Sequence, residues 1–291
     1  MTAKTRADLV GEVARRFGMY RRSTATGGST TTLADTAKLY EPNDFWIGHH
    51  LYIVTDAGGA HAAPEAEERP VTDFVQSTAT LTVDPAFTAA PASADTYELL
   101  PAKREDVVAA VNAGIRAAGE TWLTQVVDTT TVTLAASDYE YNLPAALVRV
   151  LAVWVRNASD EAWRQVPGRN WRVAGTAGAP QVLYFDSLGG IDSDDDLRLD
   201  YLARLSELSA DTGSLGIGEP AEREAVEFVT AWALYWLHDM AASRAPESAG
   251  YRAHLTQAQY YMEIAERFRA RAVRWQPAGV VRGARWAKAR G

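Results

Sequence analysis

The chain has 291 residues, 47% of them hydrophobic, no cysteine and a formal net charge of −8. That length holds one large domain or two to three smaller ones. The missing cysteine excludes disulfides and thiolate metal sites, and the acidic balance argues against general affinity for nucleic acid or anionic membranes.

Residues 2–18 read as a helix: Leu9, Val10, Val13 and Phe17 share a face and Gly18 is a stop signal. The segment is polar-amphipathic, so no secretory leader is expected, and no stretch reaches the roughly 18–20 apolar residues of a membrane span. Residues 23–32 are polar or glycine apart from Ala25 and predict a loop. Short β-rich runs follow at residues 45–47, 51–54, 71–75, 80–83 and 96–99, with residues 60–68 expected as a mobile loop. Residues 22–100 therefore predict a small antiparallel barrel or sandwich inserted after the first helix.

Residues 101–119 return to helix, with Val107, Val108, Val111, Ile115 and Ala118 on one side. A second β domain is expected over residues 122–205, with strands at 132–134, 147–155, 163–166, 171–173, 181–185 and 197–201. Leu147 to Val155 is apolar on both alternating faces, which predicts a central strand covered on both sides. Glu219-Pro220 then opens a nearly all-round apolar helix, Pro246 breaks it, and a second helix restarts near Ala249. Its residues Tyr251, Leu255, Ala258, Met262, Ala265 and Ala272 form one stripe. The expected fold class is α+β: a helical bundle (residues 1–21, 101–121 and 206–274) with two antiparallel β insertions and an extended C-terminal tail, 275–291.

Few residues carry recognisable chemistry. The histidines His49, His50, His61, His238 and His254 form no HExxH, no spaced histidine pair and no triad order with a nucleophile elbow. His49-His50 reads as a turn, and His238 beside Asp239 does not make a dyad, because adjacent helical residues diverge. Asp192, Asp194, Asp195 and Asp196 lack the glycine and glutamate of a calcium loop; Leu197 and Ala203 stand there instead. They read as a solvated acidic turn, with a weak cation site as the alternative. Gly27-Gly28 and Gly216-Ile217-Gly218 are not phosphate loops. Most of the nine tryptophans read as core, with sugar stacking by the β domains as the alternative. No catalytic, cofactor or metal residue is assigned.

The C-terminus differs. From Arg267 onward eight basic residues occur with no acidic one, leaving 21 basic against 37 acidic before it. Trp275, Arg282, Arg285, Trp286, Lys288 and Arg290 lie in a stretch with no periodic apolar face, and aromatics and arginines are the types that anchor interfaces. A cationic end on an acidic body implies a separate partner for that end.

The run Thr26-Gly27-Gly28-Ser29-Thr30-Thr31-Thr32-Leu33-Ala34-Asp35-Thr36, with Glu41-Pro42-Asn43-Asp44-Phe45-Trp46-Ile47-Gly48, resembles a β module of phage structural proteins. So do Glu68-Arg69-Pro70-Val71-Thr72-Asp73-Phe74, Thr80 to Phe87 and Asp95-Thr96-Tyr97-Glu98-Leu99. The order helix, β, helix, β, hairpin, basic tail resembles the head-to-tail adaptor (connector or neck) proteins of tailed bacteriophages and is similar to the tail tubular adaptors of short-tailed phages. That resemblance implies a non-enzymatic virion protein of the neck, present in host cytoplasm during assembly. It implies a twelve-membered ring joining portal to a tail or second neck protein around a DNA channel, without sequence-specific DNA binding and without a membrane. Trp275 to Gly291 is then the portal-gripping segment. A tail- or fibre-associated protein recognising a host glycan is the alternative; a wall hydrolase needs a carboxylate pair that the sequence does not single out.

Overall fold

The computed structural model describes residues 4–58, 62–119, 121–135, 138–157, 162–175, 181–186, 195–217, 221–244 and 250–272. Within these the chain is α+β, with helices segregated from three antiparallel sheets.

The helices are α1 (Arg6–Phe17), α2 (Arg104–Ala118), α3 (Ala221–Arg244) and α4 (Tyr251–Ala272). Thr5 starts α1 with a capping box: its hydroxyl accepts from the Asp8 amide at 3.2 Å, and the Asp8 carboxylate accepts from the Thr5 amide at 3.0 Å. α3 packs against the other three helices. Ala225, Phe228, Val229, Ala233, Leu234 and Leu237 are fully buried on it, which explains why its sequence shows no polar face. α2 crosses α3 at Gly114, where an added Cβ would lie 2.7 Å from the Val229 carbonyl oxygen. α4 approaches through Ala258, Ala265 and Ala272, all buried and spaced by sevens. Leu100, Leu205, Leu208, Leu215 and Ile217 complete this core.

Between α1 and α2 run β1 (Arg21–Thr24), β2 (Gly27–Ser29), β3 (Thr32–Ala34), β4 (His50–Thr55), β5 (Glu68–Val75), β6 (Thr80–Val83) and β7 (Thr96–Leu100). They form one seven-stranded sheet in the order β1-β7-β4-β5-β6-β3-β2. The two ends do not pair, so the expected barrel is not closed. The sheet encloses its own core around Trp46, Phe74, Leu81, Tyr97 and Leu99. Asp35 is wholly buried there, accepting from the Tyr97 hydroxyl at 2.8 Å and from the Ala37 and Lys38 amides. The expected loop at 23–32 is instead strand for most of its length. Its β2–β3 hairpin is so tight that a Cβ on Gly28 would sit 2.4 Å from the Thr32 carbonyl oxygen. Phe45-Trp46-Ile47, expected as a strand, is a succession of turns. Asp44 and Gly48 take positive φ (65° and 84°), and the Ile47 amide donates back to Asp44 O at 3.1 Å. The stretch expected as a mobile loop is tied to β4 where described: the Ala66 amide donates to Ile53 O at 2.9 Å.

Between α2 and α3 lie β8 (Leu123–Asp128), β9 (Glu140–Asn142), β10 (Leu147–Arg156), β11 (Arg164–Gln165), β12 (Trp171–Ala174), β13 (Val182–Phe185) and β14 (Asp196–Arg204). They make a sheet β11-β10-β14-β8 and a sheet β12-β13-β9 over a shared core of Leu147, Val153, Val155, Leu183, Phe185 and Leu199. Residues 132–134 are not a strand, although Val132 and Leu134 are buried in that core. Asp192 and Asp194 lie outside the described residues. Asp196 belongs to β14 rather than a free acidic turn, with Oδ2 accepting from Arg156 Nε at 2.8 Å. Both modules are clasped at the base: β1 pairs with β7 (Arg21↔Leu99) and β8 with β14 (Leu123↔Arg204).

Gly114→Val puts a branched side chain against the α3 backbone. The expected loss is about 1–3 kcal/mol of unfolding free energy, the range for overpacked cores, read by urea denaturation.

Candidate functional site

The point where the first β module meets the bundle gathers a network of charged side chains around the buried Arg104 and Glu98. β7 ends at Leu100 and α2 starts at Arg104, so Arg104 stands at the connection and is only 7% exposed. Its Nη2 donates to Asp211 Oδ2 at 2.6 Å and its Nε to Glu98 Oε2 at 3.4 Å. Its backbone amide donates to Glu68 Oε1 at 3.1 Å, and its guanidinium lies 4.4 Å from the Tyr52 ring centroid. Arg6 of α1 holds the other Asp211 oxygen, Nε to Oδ1 at 2.9 Å, and donates to the Leu208 and Ser209 carbonyls. Glu98, 1% exposed, also accepts from the Tyr20 hydroxyl at 2.9 Å. Two helices, three strands and the segment before α3 thus meet on one charge cluster. A cleft of about 390 Å³ opens beside it, lined by Tyr52, Ala66, Glu68, Glu105 and Val108 besides the two arginines.

The electrostatics fix these charges. Burial opposes the Arg104 charge, but the Asp211 hydrogen bond and neighbouring anions outweigh it and raise its pKa. Burial likewise pushes Asp211 up, and the bonds from Arg104 and Arg6 more than reverse that, so its pKa is lowered. Neither group exchanges protons near neutrality. The cluster is built to hold elements together.

A second polar surface lies on the outer face of β10. Leu147, Val153 and Val155 point into the core, but Trp154 and Arg156 face outward and are only partly buried, so this strand is covered on one side rather than two. Trp154 Nε1 donates to Asp200 Oδ2 at 2.8 Å, and the Arg198 guanidinium sits 5.5 Å from the Trp154 ring. Arg156 sits 4.5 Å from the Trp163 ring. Both guanidiniums are held by carboxylates, Arg198 by Asp200 and Arg156 by Asp196, each at 2.8 Å.

A third surface is apolar. Tyr40 (68% exposed), Phe45 (39%), Ile47 (48%) and Val75 (36%) project from the 40–47 turns and the end of β5. The Gln76 side chain ties the two segments by donating to Tyr40 O at 3.0 Å. Trp46, between Phe45 and Ile47, points inward and is fully buried, donating Nε1 to Glu41 at 3.1 Å.

The six residues that the sequence singles out, Trp275, Arg282, Arg285, Trp286, Lys288 and Arg290, lie outside the described residues. His49 sits in a turn edge-on to Trp46, where burial lowers its pKa; His50 belongs to β4 and faces Glu68 at 3.1 Å. Sequence reading missed the Arg104 cluster, whose partners are up to 205 positions apart. It also missed the contact between His238 and His254. The described residues contain no group of three or more side chains suited to a metal ion, and no helix among them is long and apolar enough to cross a membrane.

The fold is α+β, with a charged joint between the first module and the bundle, an arginine–tryptophan face on β10 and an exposed apolar surface. No protein-family model matches the chain, and no curated protein matches it.

Arg104→Ala removes the guanidinium that faces the buried Glu98 and one of the two that hold the partly exposed Asp211. The expected cost is about 3–5 kcal/mol, the range for breaking a buried ion pair. Arg104→Lys recovers only part of this, because an ammonium lacks the planar fork. Chemical denaturation of both variants against the parent chain checks the order.

Proposed function

We propose that the chain is a structural ring subunit of the head-to-tail adaptor type, joining a phage portal to a tail or second neck protein around the DNA channel. The observation that carries this reading is the combination of architecture and charge. A bundle centred on one buried helix sends two β modules out of its loops, and its last helix leads into a stretch with five cations, two tryptophans and no acid. An acidic body suits a conduit, since a negative wall repels phosphates and lets DNA slide. The exposed Tyr40, Phe45, Ile47 and Val75 supply apolar area of the kind that subunits in a ring bury against each other.

The glycan-binding alternative draws less support. A sugar stacks on an open aromatic face, yet Trp154 and Trp163 already have Arg198 and Arg156 against their rings.

Removing residues 275–291 is expected to abolish co-sedimentation with portal rings while leaving the thermal unfolding of the chain unchanged. Retained co-sedimentation would remove the tail from its assigned role. Phe45→Ser with Ile47→Ser is expected to reduce the share of closed rings seen by native mass measurement on portal by at least tenfold, matching about 1.4 kcal/mol or more summed over the ring.

A further inference from the structure

The α3–α4 hairpin closes on two histidines. His238, near the end of α3, and His254, in the first turn of α4, face each other with 3.0 Å between their Nδ1 atoms. The ring centroids are 5.3 Å apart, so the two nitrogens lie head-on between the rings. That is the arrangement of a single N–H···N bond, in which one Nδ1 donates and the other accepts. A metal ion would need both lone pairs to converge on a point off that line.

His238 is enclosed and His254 is partly buried. His238 is 6% exposed, and the Tyr261 ring stacks on it at 5.7 Å and 7°. Phe17, the last residue of α1, contacts both rings, with centroids at 4.7 Å from His238 and 6.3 Å from His254. The contact therefore joins three helices. A neutral pair shares one Nδ1 proton. One added proton, placed on either ring, keeps an N–H···N bond. A second leaves two donors face to face and two cations 3.0 Å apart.

Among the described residues no carboxylate bears on His238 to offset that second charge. From α4 the facing groups are His254 and Tyr261. From α1 Phe17 is uncharged, and its neighbour Arg16 is a cation already held by Glu12 and Glu227. On α3, Asp239 is turned to solvent. His254 is the charge that bears on His238.

We propose that the His238–His254 contact is an acid-sensitive latch: it fastens the tip of the hairpin to the end of α1 while the pair carries at most one extra proton, and it lets them part when both rings are charged. This needs nothing from the adaptor reading. Burial, reinforced by the His254 charge, lowers the His238 pKa to about 4, below the 6.5 of a free histidine. The unfolded chain thus accepts a proton that the folded chain resists. Stability is complete above about pH 6.5 and drains as the pH falls towards 4.

A histidine ¹⁵N titration of the full chain, with amide hydrogen exchange corrected for its intrinsic pH dependence, tests the latch. Expected at pH 7 are one ring carrying its proton on Nδ1 and the other with a bare Nδ1, with the second protonation of the pair occurring well below the 6.5 of a free histidine. Amides of residues 236–242 and 251–256 should open at least tenfold more readily at pH 4.5 than at pH 7, with no such change in the first β module. His254→Gln keeps a donor for His238 without a second charge and is expected to remove the acceleration. His238→Phe keeps an aromatic ring against Phe17 and Tyr261 and is expected to do the same. Two bare Nδ1 atoms at pH 7, ordinary titration of both rings, or equal acceleration in either variant would overturn the proposal.

Discussion

The burial of α3 is the constraint on which the remaining structure depends. A 24-residue helix with Phe228, Val229, Leu234 and Leu237 fully buried on different sides cannot face water on any broad stripe. It needs neighbours all round, and α1, α2 and α4 supply them from segments far apart in sequence. The close crossing at Gly114 and the small-residue row Ala258, Ala265, Ala272 let backbones approach, adding dispersion contacts that larger residues would prevent. Separate short helices gain from this what isolated helices lack in water.

The first β module adds a different kind of link. Its own core around Trp46 and Phe74 needs no helix. What orients it is ionic: Arg104, Arg6, Asp211 and Glu98 are each held by more than one neighbour, and the bond directions restrict the angle between module and bundle. Apolar surfaces can slide over one another, but a guanidinium engaged on two sides and stacked on Tyr52 cannot turn without losing partners. Such a cluster contributes less to net stability than to a defined geometry.

Sequence reading recovered what repeats along the chain and missed what depends on distant partners. The hairpin helices were legible because their apolar residues recur at helical spacing and Pro246 divides them. β2 and β3 were not, since glycine disfavours strand, the run has no alternating apolar residues, and β3 is held by pairing with the distant β6. Phe45-Trp46-Ile47 has strand composition, yet the positive-φ residues on either side force turns that no propensity scale records. The Arg104 cluster and the histidine contact rest on pairings across up to 205 and across 16 positions, and no local pattern announces either. A weak signal existed for the second: one histidine on each helix of the hairpin. The candidate tail rests on charge and residue type alone and lies outside the described residues.

The clasped bases of the two β modules carry a consequence for how such a chain can change. In each, the incoming and outgoing strands are hydrogen-bonded neighbours, Arg21 beside Leu99 and Leu123 beside Arg204. The bundle therefore meets each excursion as a fixed two-strand stalk, whatever its far end contains. Lengthening, trimming or exchanging the outer strands leaves the spacing of the helices unaltered, because closing a longer loop adds only about 0.6 kcal/mol per doubling. One helical chassis can in this way accept new heads while its own packing stays the same.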